Sequence, residues 1–267
     1  MSIIYQAVFE MQRKGESGAL CTIIESHGSV PRHTGSKMLV SETGQLSGSV
    51  GGGEIESRVI DEAMQSILDG QVRRLTYNMV DPTRGDPGIC GGQAEILVEP
   101  ILAQPTIFVI GGGHVGKAVT HLAKWLGFRI VLNDDRSEFC NLLAVPDADE
   151  YICCPMAELP SNTKIKRQDM IILTTRGVAI DTPGLPALLE TSAAYIGIIG
   201  SKRRWLATRK NLQEAGIAAV KLDRVISPIG LELKAETPEE IAVSIMAEVL
   251  MLRNQATGVR MTMQMEK

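Results

Sequence analysis

Thr106-Ile107-Phe108-Val109-Ile110-Gly111-Gly112-Gly113-His114-Val115-Gly116-Lys117 decides the fold of the second half of this chain. An unbroken apolar, β-branched run enters a glycine turn, the pattern of a buried strand leading into a helix. Gly111, Gly113 and Gly116 fit the spacing G-x-G-x-x-G. The first glycine permits a tight turn, the second lets backbone approach a phosphate, and the third lets helix pack closely on strand. Free N–H groups at the start of the helix then offer an anion site.

Outward from this turn, strands are expected at Ile107–Ile110, Arg129–Leu132, Tyr151–Cys153, Met170–Leu173 and Tyr195–Ile199. Helices are expected at Val115–Leu126, Thr182–Glu190, Lys202–Ala215 and Pro238–Arg253. That rhythm implies a parallel sheet covered by helices on both faces. The first half reads differently. A short amphipathic helix over 1–16 precedes strands at Ala19–Glu25 and Lys37–Val40, with a turn at Glu42–Gln45. Then come a helix with Ile55, Val59, Ala63, Ile67 and Leu68 on one face, a strand from Val72 to Met79, a loop from Asp81 to Gly88, and a strand from Gln93 to Glu99. Pro100–Pro105 reads as a linker. The expected fold class is α/β, with a mixed α/β domain over 1–100 and a Rossmann-like domain over 106–267.

Composition narrows the function. A chain of 267 residues suits one large domain or two medium ones, and can bury roughly 75% of its unfolded surface. A net charge of −4 argues against a nucleic-acid binder. No apolar run reaches the roughly 20 residues of a membrane span, and the first residues lack a basic, signal-like segment. Five cysteines without a regular framework point to a reducing cytoplasm, and adjacent Cys153-Cys154 is not a metal-ligand spacing.

Several clusters could carry chemistry. Asp134 lies 23 positions after Gly111, close to where an acid accepts ribose hydroxyls. Arg136 could meet a phosphate, or the two could simply cap the surface. His114 could touch a phosphate or be a solvated first-turn residue. Ser201-Lys202-Arg203-Arg204 opens a helix with three cations, unfavourable there unless an anion is near. Arg176 ends another strand on the same sheet edge, where Asp181 could orient it. In the first half, Gly51-Gly52-Gly53-Glu54-Ile55-Glu56 and Gly88-Ile89-Cys90-Gly91-Gly92 mark close backbone approach. Glu54 and Glu56 also suit a helix's first turn without any ligand. Cys90 between glycines is unlike an ordinary core cysteine.

Together these motifs resemble the XdhC/CoxI family of molybdenum-hydroxylase maturation proteins over nearly the whole chain. The resemblance is carried by Gly28–Val40, Gly48–Glu56, Cys90-Gly91-Gly92, Val109–Gly116, Asp134-Asp135-Arg136, Tyr195–Arg203, Ser227–Leu231 and Thr237–Ile245. It implies a cytoplasmic, chaperone-like protein, expected as a homodimer. Such a protein binds molybdenum cofactor, supports its sulfuration with a cysteine desulfurase, and delivers it to a xanthine dehydrogenase-type apoenzyme. The implied cofactor site comprises Gly52, Gly53, Glu56, Cys90, Gly111, Gly113, His114, Gly116, Asp134, Arg136, Arg176, Ser201, Lys202 and Arg203. Within it, the Cys90 thiolate would suit a soft metal. Glu54 stands where many relatives carry cysteine or histidine, and Arg176 where many carry histidine, so neither role transfers to those positions. Two alternatives remain: an NAD(P)-dependent oxidoreductase, and a nucleotide-binding regulatory module. Against the oxidoreductase, no His–Asp pair suggests a catalytic acid and base.

Overall fold

The computed structural model describes residues 3–79 and 91–261. The chain divides into two compact units, 1–104 and 105–267.

The first unit opens with helix α1 (Ile3–Arg13) and strands β1 (Gly18–His27), β2 (Lys37–Ser41) and β3 (Leu46–Gly48). Helix α2 (Glu54–Asp69) follows, then β4 (Arg73–Asn78) and β5 (Gln93–Ile101). The five strands form an antiparallel sheet in the order β3-β2-β1-β5-β4. Alternation sets its buried face: Ala19, Cys21 and Ile23 of β1 and Ala94, Ile96 and Val98 of β5 point inward. They meet Ile55, Val59 and Ala63 of α2. Burying one of the valine or isoleucine side chains stabilises by roughly 1.5–3 kcal/mol, and each alanine by less. Leu68, expected on that inner face, is exposed instead, because it sits one residue around the helix from partly buried Ile67. Strand β5 runs on through Pro100 to Ile101, so the expected linker begins two residues late. Pro100 is tolerated because β5 has already passed its pairing with β4, which ends at Val98. The Asp81–Gly88 loop lies outside the described residues.

The second unit runs β6 (Thr106–Ile110), α3 (His114–Trp125), β7 (Arg129–Asn133), β8 (Glu150–Ile152), a 3-10 turn (Met156–Glu158) and α4 (Leu159–Asn162). It continues through β9 (Met170–Leu173), α5 (Val178–Leu189), β10 (Tyr195–Ile198), α6 (Lys202–Glu214), α7 (Ala219–Leu222), β11 (Val225–Ile226) and α8 (Pro238–Arg253). The sheet is parallel, ordered β11-β10-β9-β6-β7-β8. Chain order reverses between β9 and β6, which makes that junction a topological switch point. All five residues of β6 are buried, since each of its faces is covered. Phe108 and Ile110 pack with Leu185 and Leu188 of α5 and Leu212 of α6. Ile107 and Val109 pack with Val119 and Ala123 of α3 and Ile245 and Val249 of α8. A strand so enclosed reads as a continuous apolar run rather than an alternating one.

Helix α5 departs from expectation. It starts at Val178 and carries Pro183 and Pro186 inside it. Proline normally marks a helix start, so the sequence favours Thr182 as the boundary. Tertiary burial overrides that signal: Asp181, in the first turn, is fully buried and ion-paired. The short elements α4, α7 and β11 are too brief for periodicity to reveal.

Candidate functional site

At the C-terminal ends of β6, β7 and β9 the second unit forms a cleft across the switch point. Its enclosed volume is about 170 Å³. Its walls include Gly111 and Gly113 of the turn, Asn133–Arg136 at the end of β7, Pro155–Ala157 after β8, and Thr174–Arg176 after β9. Fully enclosing sites for small molecules run to roughly 300–1,000 Å³, so this cleft would grip part of a ligand and leave the rest outside.

Each glycine of the turn has its own cause. Gly111 adopts φ +110°, and an added Cβ would meet the Thr174 carbonyl at 2.8 Å. A Cβ on Gly116 would fall 1.8 Å from the Gly111 carbonyl oxygen, so helix and turn touch backbone to backbone. Gly112, which the spacing leaves free, is equally constrained, because its Cβ would lie 2.1 Å from the Phe139 carbonyl oxygen. Gly113 alone faces open space. It caps α3 without any side-chain bond to the first-turn N–H groups, which leaves them available to an anion. His114 is exposed and does not line the cleft.

The charged residues behave unequally. Asp134 is buried, and its carboxylate accepts from Gly112 N–H at 2.8 Å and from the Arg136 N–H, Nε and Nη2 at 3.0, 2.9 and 2.9 Å. Burial pushes its pKa up, but the bonds from Arg136 and Gly112 outweigh that and hold it below the usual carboxylate range. The expected ribose acceptor is therefore a clamp that ties the glycine turn to the end of β7. Arg136, stacked 3.9 Å over the Phe139 ring, is locked into the same clamp. The neighbouring pair is looser. Arg176 Nη2 bridges both oxygens of Asp135 at 2.9 and 3.0 Å, with both side chains nearly half exposed. An exposed pair of this kind contributes only about 0–1 kcal/mol, so a ligand anion could exchange with Asp135. Arg176 is thus the available cation of the cleft.

Asp181 does not orient Arg176, as the sequence suggested. It pairs with Arg204, whose Nε and Nη2 reach Asp181 Oδ2 at 3.0 and 2.7 Å and whose Nη1 donates to the Thr175 carbonyl at 3.1 Å. Of the three cations opening α6, this third one turns inward beneath Gly200. Ser201 caps the helix by accepting from Arg204 N–H. Lys202 and Arg203 are exposed and do not line the cleft. No sequence signal distinguished Arg204 from its neighbours, because its partner lies 23 residues away. Asn133 and Pro155–Ala157 were also missed as cleft walls, since their place depends on sheet order.

In the first unit, Gly53 caps α2 at φ +54°, and neither Gly52 nor Gly53 has a neighbour within 4 Å of an added Cβ. Glu56 is not free: Ser49 Oγ donates to its Oε1 at 2.6 Å. Glu54 pairs with Arg58 one turn on. Gly91 and Gly92 close against the Gly28-Ser29-Val30 loop, where a Cβ on Gly92 would lie 2.2 Å from the Ser29 carbonyl oxygen. Met79 bonds both glycines through backbone. Cys90 lies outside the described residues. Among those described, no group of three or more His, Cys, Asp or Glu residues could hold a metal, and no helix is long and apolar enough to cross a membrane.

A family model described as the XdhC Rossmann domain matches residues 107–249, and one described as the XdhC and CoxI family matches residues 11–78. The chain belongs to the XdhC/CoxI family. It is 30% identical over 260 residues to an Escherichia coli K12 protein described as uncharacterized, YqeB, covering 96% of this chain and 47% of that one. It is 27% identical over 164 residues to a Bacillus subtilis 168 protein described as a probable xanthine dehydrogenase subunit, covering 61% and 48%. The chain thus spans about half the length of these two relatives. The molybdenum cofactor insertion chaperone PaoD of E. coli K12 is 24% identical over 280 residues, covering 94% of this chain and 88% of PaoD. A crystal structure from Bacillus halodurans, described as a xanthine dehydrogenase, shares the fold with a TM-score of 0.52 at 24% identity, covering 94% and 96%.

Proposed function

We propose that this XdhC-family chain binds molybdenum cofactor as cargo and hands it to a xanthine dehydrogenase-type apoenzyme, working in the cytoplasm as a homodimer and receiving sulfur from a cysteine desulfurase. The observation that carries the reading is the switch-point cleft, with an open Gly113 turn and the exchangeable cation Arg176. Support also comes from the similarity to PaoD, which is named as an insertion chaperone for that cofactor. The cargo is anionic, and the residues fit it: uncapped N–H groups of α3 meet a phosphate, and Arg176 leaves Asp135 to pair with it.

The cleft would hold the phosphate-bearing end, whether molybdopterin or its dinucleotide form. The first unit carries its own separate candidates: Gly52 and Gly53 expose bare backbone, Glu56 steadies that loop through Ser49, and Cys90 would offer a thiolate suited to a soft metal. Lys202 and Arg203 would add long-range attraction rather than direct contact. A Cys90→Ala protein is expected to lose activation of the recipient enzyme. Unchanged activation would remove Cys90 from the site.

The rival reading is an NAD(P)-dependent oxidoreductase, favoured by the same glycine turn. Purified chain titrated with molybdenum cofactor, NAD(H), NADP(H) and AMP separates the two. The cargo reading predicts saturable cofactor binding. Nicotinamide binding with hydride transfer, and no cofactor binding, would sink it.

A further inference from the structure

Three free cysteines of the second unit, Cys140, Cys153 and Cys154, gather where β7 and β8 end side by side. None has a part in the cargo reading. Cys140 is buried and its Sγ donates to the Leu132 carbonyl at 3.7 Å. Cys153 follows Ile152, which pairs with Asn133 in the sheet, and it is exposed. Leu132, whose carbonyl accepts from Cys140, pairs with Tyr151 two residues before Cys153, which brings both cysteines to the same corner of the sheet, and the neighbouring Cys153 adds to the upward push on the Cys140 thiol. Cys154 is otherwise engaged: Asn133 Nδ2 and Asn162 Nδ2 donate to its Sγ at 3.5 and 3.8 Å.

We propose that Cys140 and Cys153 are a modification site, closing to a reversible disulfide when the protein meets a peroxide. Exposure selects Cys153 as the thiol attacked first, whereas burial pushes the Cys140 thiol up to about 11 and leaves it mostly protonated. The Cys153 sulfur attacks the peroxide O–O bond, becomes a sulfenic acid and releases water. The Cys140 sulfur then attacks the sulfenic sulfur, the S–S bond forms, and a second water leaves. Two electrons pass from the thiols to the peroxide. Cys154 is a poor partner for Cys153, because neighbouring Cα atoms stand about 3.8 Å apart and disulfides span roughly 4.4–6.8 Å.

The bond would join two walls of the cleft. Cys140 follows Phe139, whose carbonyl braces Gly112 and whose ring supports Arg136. Cys153 lies just before Pro155–Ala157, the wall on the β8 side. Oxidation would pin these segments together, whatever ligand the cleft takes.

The test is peptide mapping of the full chain after peroxide, without reductant. Cleavage after glutamate leaves Cys140 on peptide 139–150 and Cys153 with Cys154 on peptide 151–158. The expected result is a linked pair of these peptides, two hydrogens lighter than their sum. It should be lost with dithiothreitol, lost in Cys153→Ser, and kept in Cys154→Ser. Cys153→Ser removes an exposed thiol, so folding should not confound it. A Cys153–Cys154 link, a disulfide only between chains, or separate unlinked peptides would overturn the proposal.

Discussion

Two glycine-rich turns each open a helix in this molecule, and they are glycine-rich for different reasons. At Gly111–Gly116, added side chains on Gly111, Gly112 and Gly116 would strike backbone, and a buried aspartate clamps the turn with four hydrogen bonds. At Gly51–Gly53, side chains on Gly52 and Gly53 would meet nothing, and one serine, Ser49, steadies the loop through Glu56 and the Gly51 backbone. One turn spends its glycines on internal packing and presents only Gly113 outward. The other presents two bare residues. Similar composition therefore reports different physics, and only neighbours in space reveal which.

The contrast can be broken at three places. The largest effect is expected at Gly116→Ala, where a methyl would overlap the Gly111 carbonyl. Overpacking against backbone should cost about 3 kcal/mol in urea unfolding. A cost below that of an ordinary surface change would mean the turn is less tightly packed than described. Asp134→Ala comes next, at about 2 kcal/mol, discounted because Arg136 keeps a quarter of its side chain in water. The clamp also has a pH signature. Its folded pKa is lowered, so its stabilisation is present above the ordinary carboxylate pKa of about 3.9 and lost as pH falls through the folded value. Acid unfolding of Asp134→Ala should show a shallower loss of stability in that window than the parent chain. Parallel curves would remove Asp134 from the clamp. Gly52→Ala should be the smallest, within about 0.5 kcal/mol, because nothing is displaced. A large loss there would reveal a constraint on the open turn.

Much of this was legible in the sequence. The apolar run before Gly111 named the buried strand, and alternation with helices named the parallel sheet. The residues Gly111, Gly113, Asp134, Arg136 and Arg176 do meet in one cleft. Their division of labour was not legible. Asp134 looked like a ligand acceptor because spacing along the chain cannot report that Gly112 and Arg136 already occupy it. Asp181 looked like the partner of Arg176, yet fold topology gives it Arg204. The start of α5 was misplaced because buried pairing outranks a proline signal.

The central claim is that the switch-point cleft, through Arg176, grips the anionic end of molybdenum cofactor. Its most direct test is equilibrium binding of the purified cofactor to the parent chain, to Arg176→Glu and to the exposed control Lys202→Glu. Arg176→Glu is predicted to keep its unfolding curve but bind at least about tenfold more weakly, or roughly 1.4 kcal/mol. Lys202→Glu should bind nearly as the parent does. Equal binding by Arg176→Glu and the parent, or loss confined to Lys202→Glu, would contradict it.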